Sequence, residues 1–139
     1  SEIWVQPLGA QPRLLVDNHE GGYGYQWSPD NRYVIYVARE VPLPKPQPAL
    51  TPYSDEAYRW AYSQLSLYLV EVSTGQKRRL ISDGQRGDVN PFWSPDGKYI
   101  AFISVRSGQL GLWTANIDGS NLRQLPTNNA RISIPIWLL

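Results

Sequence analysis

Residues able to perform catalysis are few in this chain. His19 is its only histidine, it lies in a loop beside Glu20 and a run of glycines, and the sequence contains no cysteine. The Gly-x-Ser-x-Gly pattern that presents a nucleophilic serine on a sharp turn does not occur. No serine or cysteine nucleophile activated by histidine can be assembled from these residues, so we expect an ordinary loop role for His19. The sequence therefore predicts no enzyme active site in this chain.

Candidate ligands for a metal ion or a cofactor are equally sparse. Asp83, Asp88 and Asn90 are close in sequence and carry the oxygen ligands that calcium prefers, but no loop has the spaced Asp-x-Asp-x-Asp-Gly pattern. We interpret the two aspartates as turn-forming carboxylates and expect no metal. Residues 21–25, Gly-Gly-Tyr-Gly-Tyr, lack the Gly-Lys-Ser/Thr of a phosphate loop and lead into a predicted strand. We expect no cofactor.

The elements that would position any site are indicated by a turn signal. Residues 93–98 read Trp-Ser-Pro-Asp-Gly-Lys and precede the apolar run 99–105. Pro95 suits the first central position of a type I turn, and the Asp96 side chain can bond the backbone nearby. Gly97 can take the left-handed conformation that closes a hairpin. The pattern predicts two neighbouring antiparallel strands.

The same signal occurs earlier in the chain. Residues 25–36 match residues 91–102 nearly position for position, with Asn31 in place of Gly97. Asparagine is the next best residue for a left-handed conformation, so the substitution preserves the turn. The chain therefore contains a repeated structural unit.

The strands of each unit grade from apolar to polar. Residues 99–105 are apolar on both faces, whereas 122–125 mix apolar and charged residues as an outer strand does. The spacing from Trp93 to Trp137 is 44 residues, within the roughly 40 to 45 of a four-stranded blade. The sequence predicts an all-β fold: a β-propeller segment of four-stranded antiparallel blades, with about two full blades plus parts of two more.

The predicted blades divide the chain at the turn signals. The preceding spacing, from Trp27 to Trp93, is 66 residues, so that unit carries an insertion. The predicted divisions are the end of a first blade at 1–17, a second blade at 22–82 with an insertion at 40–64, a third blade at 89–126, and the start of a fourth at 131–139.

These residues resemble a known family. Trp-Ser-Pro-Asp-Gly-Lys-Tyr-Ile-Ala-Phe at 93–102, followed by Leu112-Trp113 and Asp118-Gly119, is similar to the TolB-like, WD-repeat-like β-propeller repeat. The resemblance implies about six blades, an extracytoplasmic (periplasmic or secreted) location, and docking of envelope proteins or peptides without catalysis. It extends over most of the chain outside the insertion.

The insertion is predicted to combine an extended arm with a helix. Residues 41–48 alternate proline with other residues, which favours a polyproline-like conformation. Ser54 is a capping residue before acids and helix formers, and Tyr58 and Tyr62 would then share a face, with Trp60 on another side. The three aromatics either pack on the blade as a lid or offer a recognition arm to a partner.

In a propeller, the loops that enter the first strands surround the mouth of the central channel. Here they carry a polar, mixed lining that suits a peptide or a protein terminus better than a phosphate ligand. The predicted binding residues in these loops are His19, Tyr23, Asp88, Asn90, Asn129 and Arg131, and those of the insertion are Tyr58, Trp60 and Tyr62.

Charge and composition exclude two classes of partner. The formal net charge is +1, without the basic excess of nucleic-acid-binding proteins. No apolar run approaches the roughly eighteen residues of a membrane helix.

The sequence contains no methionine and begins at Ser1, from which we expect a processed or excised piece. An open propeller segment exposes apolar blade faces, so either a longer natural protein covers them or two chains form a homodimer that completes the ring.

Two functions from different classes fit this sequence. The first is a non-catalytic scaffold of TolB type that binds a protein or a peptide. The alternative is the propeller domain of a prolyl-oligopeptidase-like or dipeptidyl-peptidase-like serine peptidase whose catalytic domain lies outside this chain. A Gly-x-Ser-x-Gly motif downstream of Leu139 would distinguish the second function from the first.

Overall fold

A computed structural model describes residues 1–43, 45 and 47–127 of the chain. Within these residues, ten strands, one α-helix and one turn of 3-10 helix follow the sequence. They are β1 (Ile3–Val5), β2 (Arg13–Val16), the 3-10 turn (Gly21–Tyr23), β3 (Tyr25–Trp27), β4 (Tyr33–Arg39), α1 (Asp55–Tyr62), β5 (Leu65–Glu71), β6 (Lys77–Arg79), β7 (Asp88–Trp93), β8 (Tyr99–Ser104), β9 (Gly111–Asn116) and β10 (Arg123–Leu125).

The strands form three antiparallel sheets. β1 pairs with β2, and the two four-stranded sheets have the orders β3-β4-β5-β6 and β7-β8-β9-β10. Each four-stranded sheet is a meander of strands consecutive in sequence, as a propeller blade requires. The predicted fold class is confirmed. The predicted start of a fourth blade, and Pro44 and Pro46 of the predicted arm, lie outside the described residues.

The Ser-Pro-Asp turns have the same hydrogen bonds in both blades. The Ser94 hydroxyl donates to Asp96 at 2.6 Å and accepts from the backbone N–H of Tyr99 at 3.0 Å, while Asp96 accepts from the Lys98 N–H at 3.1 Å. Gly97 has φ = 72°, the left-handed conformation that the sequence predicted. The turn is therefore a closed network of side-chain and backbone bonds.

The equivalent turn in the preceding blade reproduces this network. The Ser28 hydroxyl donates to Asp30 at 2.6 Å and accepts from the Tyr33 N–H at 2.9 Å. Asn31 occupies the left-handed position with φ = 59°. The predicted equivalence of asparagine and glycine at this position is confirmed.

The main core lies between the two four-stranded sheets. Ile35 and Val37 of β4 meet Ile100 and Phe102 of β8 there, and all four side chains are buried. The alternate residues of β4, such as Tyr36, point to the other face, where β1 and β2 cover them in a second cluster. β4 is apolar from Tyr33 to Ala38, as is typical of a strand that is buried on both faces.

The first strands of the two blades lie side by side. The indole N–H of Trp93 donates to the Gln26 carbonyl oxygen, and the Trp93 backbone N–H donates to the Gln26 side-chain oxygen, both at 3.2 Å. The signature tryptophan of one repeat therefore fixes its blade to the preceding one.

The turn network makes a testable prediction about two equivalent carboxyl groups. The hydrogen bond from Ser94 and the Lys98 N–H hold the pKa of Asp96 below its ordinary value of 3.8, and Ser28 does the same for Asp30. Ser94→Ala should raise the pKa of Asp96 towards its ordinary value and leave that of Asp30 unchanged. Carboxyl 13C NMR titration measures both groups in one sample, and Ser28→Ala should give the reciprocal result.

The lowered pKa of Asp96 also determines how the free energy of unfolding changes with pH. The pKa of Asp96 is lower in the folded than in the unfolded state, so its contribution to the free energy of unfolding is present above the unfolded-state pKa. That contribution is lost as the pH falls through the folded-state pKa. An unchanged Asp96 pKa in Ser94→Ala would contradict the proposed cause of the shift.

Candidate functional site

The antiparallel sheets bring the predicted site segments to one end of the blades. The first strand of each blade begins where its second strand ends, as the register of Tyr25 with Tyr36 and of Asp88 with Ser104 shows. The loops before β3 and β7, the insertion between β4 and β5, and the β8–β9 connection therefore share this end. We call it the mouth face, defined by residues 17–24, 40–43, 45, 47–64, 82–87 and 105–110.

His19 is buried at the mouth face. Its side chain is 4% exposed, its backbone forms an isolated bridge with Ala38, and its ring lies edge-on to Tyr25 with 5.0 Å between centroids. Burial lowers the pKa of His19, which favours the neutral ring, and a bond to the Gly24 backbone partly opposes the shift. His19 lies in the connection between β2 and the 3-10 turn, and its bridge with Ala38 folds this loop back onto β4.

Tyr23 joins the mouth loop to the insertion. It ends the 3-10 turn, and its ring lies edge-on to Tyr62 of α1 with 5.6 Å between centroids. Both rings are half-buried against the main core. The structure thus brings together one predicted mouth residue and one predicted insertion residue that are distant in sequence.

The predicted helix of the insertion is present as α1. Ser54 caps it by accepting from the Ala57 N–H at 3.1 Å, and the rings of Tyr58 and Tyr62 lie 5.6 Å apart on one face. Trp60 is half-buried, and its indole N–H has no hydrogen-bond partner among the described residues. The packing of Tyr62 on the core favours the lid interpretation for that residue, and the roles of Tyr58 and Trp60 stay predictions.

Two arginines that the sequence analysis did not single out fasten α1 in place. Arg39 at the end of β4 donates to the carbonyl oxygens of Ala61 and Ser63 at 3.3 and 2.8 Å. Arg59 of α1 reaches across to the third blade and donates to the Gly108 carbonyl oxygen at 2.8 Å. The position of Arg39 next to the insertion was the only sequence signal for the first contact, and none indicated the second.

The sequence predicted Asp88 in a mouth loop, but in the structure it is the first residue of β7. The strand begins one residue before the predicted third blade, and the Asp88 carboxylate at its start is paired with Arg106, with Oδ2 2.7 Å from Nη2. Burial raises the pKa of Asp88, while Arg106 and the Ser104 hydroxyl oppose the rise. The same guanidinium binds Asp83 at 2.7 Å, so these aspartates hold an arginine between them.

Asn90 lies where β7 bulges. It has φ = 50°, is half-buried, and its Cα is 3.5 Å from the position that a Cβ on Gly24 would take. The beginnings of β3 and β7 are therefore in contact. Asn129 and Arg131, the remaining predicted mouth residues, lie outside the described residues.

An open cleft lies between α1 and the loops of the third blade. It encloses about 350 Å³, and we call it the arginine cleft. Its lining consists of Arg59, Ser63, Gln64, Gly84, Gln85, Arg86, Val105 and Arg106. Sequence reasoning missed it because the arginines come from three separate segments.

Glu40 adjoins the arginine cleft through its ion pair with Arg86, which lines the cleft. It accepts from the Tyr68 hydroxyl at 2.8 Å and from Arg86 Nε at 2.5 Å, and its Oε1 lies 3.6 Å from Arg79 Nε. Hydrogen bonds from Tyr68 and Arg86 hold the pKa of Glu40 below its ordinary value, although burial opposes them. One carboxylate therefore serves two guanidinium groups.

Neither a metal-binding cluster nor a membrane-spanning helix is present in the part of the chain that the structure describes. No three histidine, aspartate or glutamate side chains come together there as they would around a metal ion. None of its helices has the length and apolarity to cross a membrane.

Comparisons with known proteins identify the fold. No family model matches the chain. The chain is similar to the solved structure described as putative TolB from Agrobacterium tumefaciens, with a TM-score of 0.60 and 25% sequence identity. The matched region covers 91% of this chain and 38% of that one. The β-propeller fold that the sequence predicted is confirmed.

Two curated relatives extend the comparison. The protein Atu1656 of Agrobacterium fabrum is 29% identical over 126 residues, which cover 90% of this chain and 35% of the relative. Dipeptidyl-peptidase 5 of Porphyromonas endodontalis is 32% identical over 114 residues, which cover 82% of this chain and 14% of the relative. The chain thus spans little more than a third of one relative and about a seventh of the other.

The buried ion pair at the mouth face makes a testable prediction. Arg106→Gln leaves Asp88 buried without its counter-charge, so the free energy of unfolding should fall by about 3 kcal/mol. This loss should be larger at neutral than at acidic pH. Without Arg106, burial raises the folded-state pKa of Asp88 further above its unfolded-state value. An acid of this kind loses its contribution to stability as the pH rises through its folded-state pKa. Urea unfolding followed by tryptophan fluorescence measures both effects.

A matched arginine provides the control. Arg32 has a 65% exposed side chain and lies 4.0 Å from Glu71, so Arg32→Gln should change stability by no more than about 0.5 kcal/mol. Replacing Asp88 by Asn in the Arg106→Gln chain should restore part of the loss. Equal unfolding midpoints for Arg106→Gln and Arg32→Gln would show that the buried pair is not structural.

Proposed function

We propose that this chain, whose repeats are of the TolB-like β-propeller type, is part of a non-catalytic scaffold that binds a protein or a peptide at its mouth face. One observation carries the proposal: Tyr23 of a mouth loop and Tyr62 of the insertion meet at 5.6 Å. The contact combines two segments into one surface beside the channel. A partner would meet tyrosine rings next to polar backbone, which is the composition of many protein interfaces.

The rigidity of this surface supports a binding role. Arg39 and Arg59 tie α1 to both blades, and the N-cap at Ser54 fixes its beginning. Side chains held before binding lose little conformational entropy when a partner arrives. Presentation of a preformed surface is therefore the mechanism that we propose.

The state of His19 supports a role without chemistry. Its ring is buried and packs edge-on against Tyr25. A general base must reach a proton on the substrate, and this histidine faces the protein interior. The proposal assigns binding residues to the mouth face and no catalytic residue.

Resemblance to TolB supports an extracytoplasmic location for this scaffold. The partner that we propose is a protein or a peptide, and nucleic acid is disfavoured by the formal net charge of +1. A second copy of the chain is a further candidate partner, since it would supply blades to an open ring. Light scattering over a dilution series tests that homodimer directly.

The binding proposal is tested by selection and mapping. Peptides selected from a random displayed library against the immobilised chain should shift the amide resonances of Tyr23 and Tyr58 in 15N-labelled protein. Tyr23→Ala and Tyr58→Ala should each weaken binding by about tenfold, because aromatic anchors provide most of the energy in such interfaces.

A tyrosine at the other end of the blade serves as the matched control. Tyr99 begins β8 beside the Ser-Pro-Asp-Gly turn and is 40% exposed. Tyr99→Ala should leave the affinity for the selected peptides unchanged. Selected peptides that bind elsewhere, or equal losses in all three variants, would contradict the mouth face as the binding surface.

The similarity to dipeptidyl-peptidase 5 favours a second candidate function, the propeller domain of a serine peptidase. This relative is 32% identical over 114 residues of this chain. In such an enzyme the mouth face would gate the substrate for a catalytic domain located elsewhere. A Gly-x-Ser-x-Gly motif encoded downstream of Leu139, with dipeptidyl-peptidase activity that is lost when its serine is replaced by alanine, would establish this function in place of the scaffold.

A further inference from the structure

We infer that the arginine cleft binds a carboxylate group of the peptide or protein partner. The inference rests on the proposed function and specifies the chemistry of the ligand. The cleft volume of about 350 Å³ falls within the range of about 300 to 1,000 Å³ for small-ligand pockets. It suits one acidic residue of an extended peptide, or its terminal residue.

The charges around the cleft leave one guanidinium unmatched. Arg106 is neutralised by Asp83 and Asp88, and Arg79 and Arg86 share Glu40. Arg59 is exposed, and no carboxylate in the described part of the chain lies within ion-pair distance of it. Three carboxylates therefore pair with three of the four guanidinium groups in and beside the cleft, and the unpaired one, Arg59, is exposed.

Arg59 is also positioned in advance. Its Nη1 donates to the Gly108 carbonyl oxygen at 2.8 Å, which fixes the guanidinium across the cleft. An arginine has five N–H donors in a planar fork, so the bond to Gly108 leaves donors for a carboxylate. Arg86 lines the same cleft with a side chain that is 37% exposed. Two guanidinium groups can thus approach one bound anion.

The end of α1 would repel an anion if its carbonyl groups were free, because a helix C-terminus carries partial negative charge. Three of the last four carbonyl groups of α1 have hydrogen-bond partners. Arg39 binds the carbonyl oxygens of Ala61 and Ser63, and Ser63 binds those of Arg59 and Trp60. The Arg39 guanidinium therefore places a positive charge at this helix end, which offsets its partial negative charge.

The cleft adjoins the surface of the proposed function. Arg59 lines the cleft, and α1 turns by about 100° per residue, so the cleft side of the helix is next to the face of Tyr58 and Tyr62. A peptide that contacts the tyrosines could extend its carboxylate to the guanidinium. This placement would give the mouth face a preference for acidic partners. Charge complementarity at such a position provides specificity and accelerates association.

Three synthetic peptides test the inference by NMR titration of the 15N-labelled chain. The first is acetyl-Ala-Ala-Glu-Ala-Ala-amide, with a side-chain carboxylate. The second is acetyl-Ala-Ala-Gln-Ala-Ala with a free C-terminus, and the third is its neutral amide. We expect at least one acidic peptide to shift the Nε–Hε resonances of Arg59 and Arg86 and the neutral amide to shift neither. The stronger of the two acidic peptides identifies the source of the carboxylate.

Substitutions separate a specific site from general charge attraction. Arg59→Gln should raise the dissociation constant of the acidic peptide by about tenfold, in proportion to a charge-assisted hydrogen bond. Arg59→Lys should give an intermediate value, because lysine keeps the charge without the planar fork. Arg32→Gln removes an equal charge from a distant exposed position and should leave binding unchanged. Unaltered amide spectra of the free variants exclude unfolding as the cause.

Two results would overturn the inference. Equal binding of acidic and neutral peptides shows that the cleft does not select a carboxylate. Equal losses in Arg59→Gln and Arg32→Gln show attraction by net charge alone. If library-selected peptides still shift Tyr23 and Tyr58 in either case, the proposed function stands without this site. If they shift neither tyrosine, the proposed function fails as well.

Discussion

Burial of the second strand of each blade on both faces is the constraint on which the rest of this structure depends. In β4, Ile35 and Val37 face the next blade while Val34 and Tyr36 face β1 and β2. Such a strand cannot be satisfied by one sheet, so every blade needs a neighbour on each side. The bond from Trp93 to Gln26 keeps the neighbouring first strands in register.

The mouth face gains its character from this packing. The sheets hold the strand ends fixed, and the connections between them are then tied by polar contacts that cross from one blade to the other. Arg59 reaches Gly108, and Arg86 reaches Glu40. The apolar core therefore determines where the loops are, and arginine side chains determine which shape they take.

Most of the fold could be predicted from the sequence because its signals are local. The turn at Ser94 and Asp96 has a fixed chemistry, and its repetition 66 residues earlier revealed the blades. The contacts of Arg59 and Arg106 could not be predicted, since they join residues that only the tertiary structure brings together. The same cause accounts for Asp88, whose burial in a strand depends on a guanidinium 18 residues away.

The insertion between β4 and β5 also affects how the chain reaches this structure. β8 and β9 pair across residues 105–110, whereas β4 and β5 pair across residues 40–64. Closing the longer connection costs about 1 kcal/mol more in chain entropy. The third blade should therefore form its central hairpin first, and the second blade should complete its sheet on that template. The segment that distinguishes the mouth face thus also sets the order of folding.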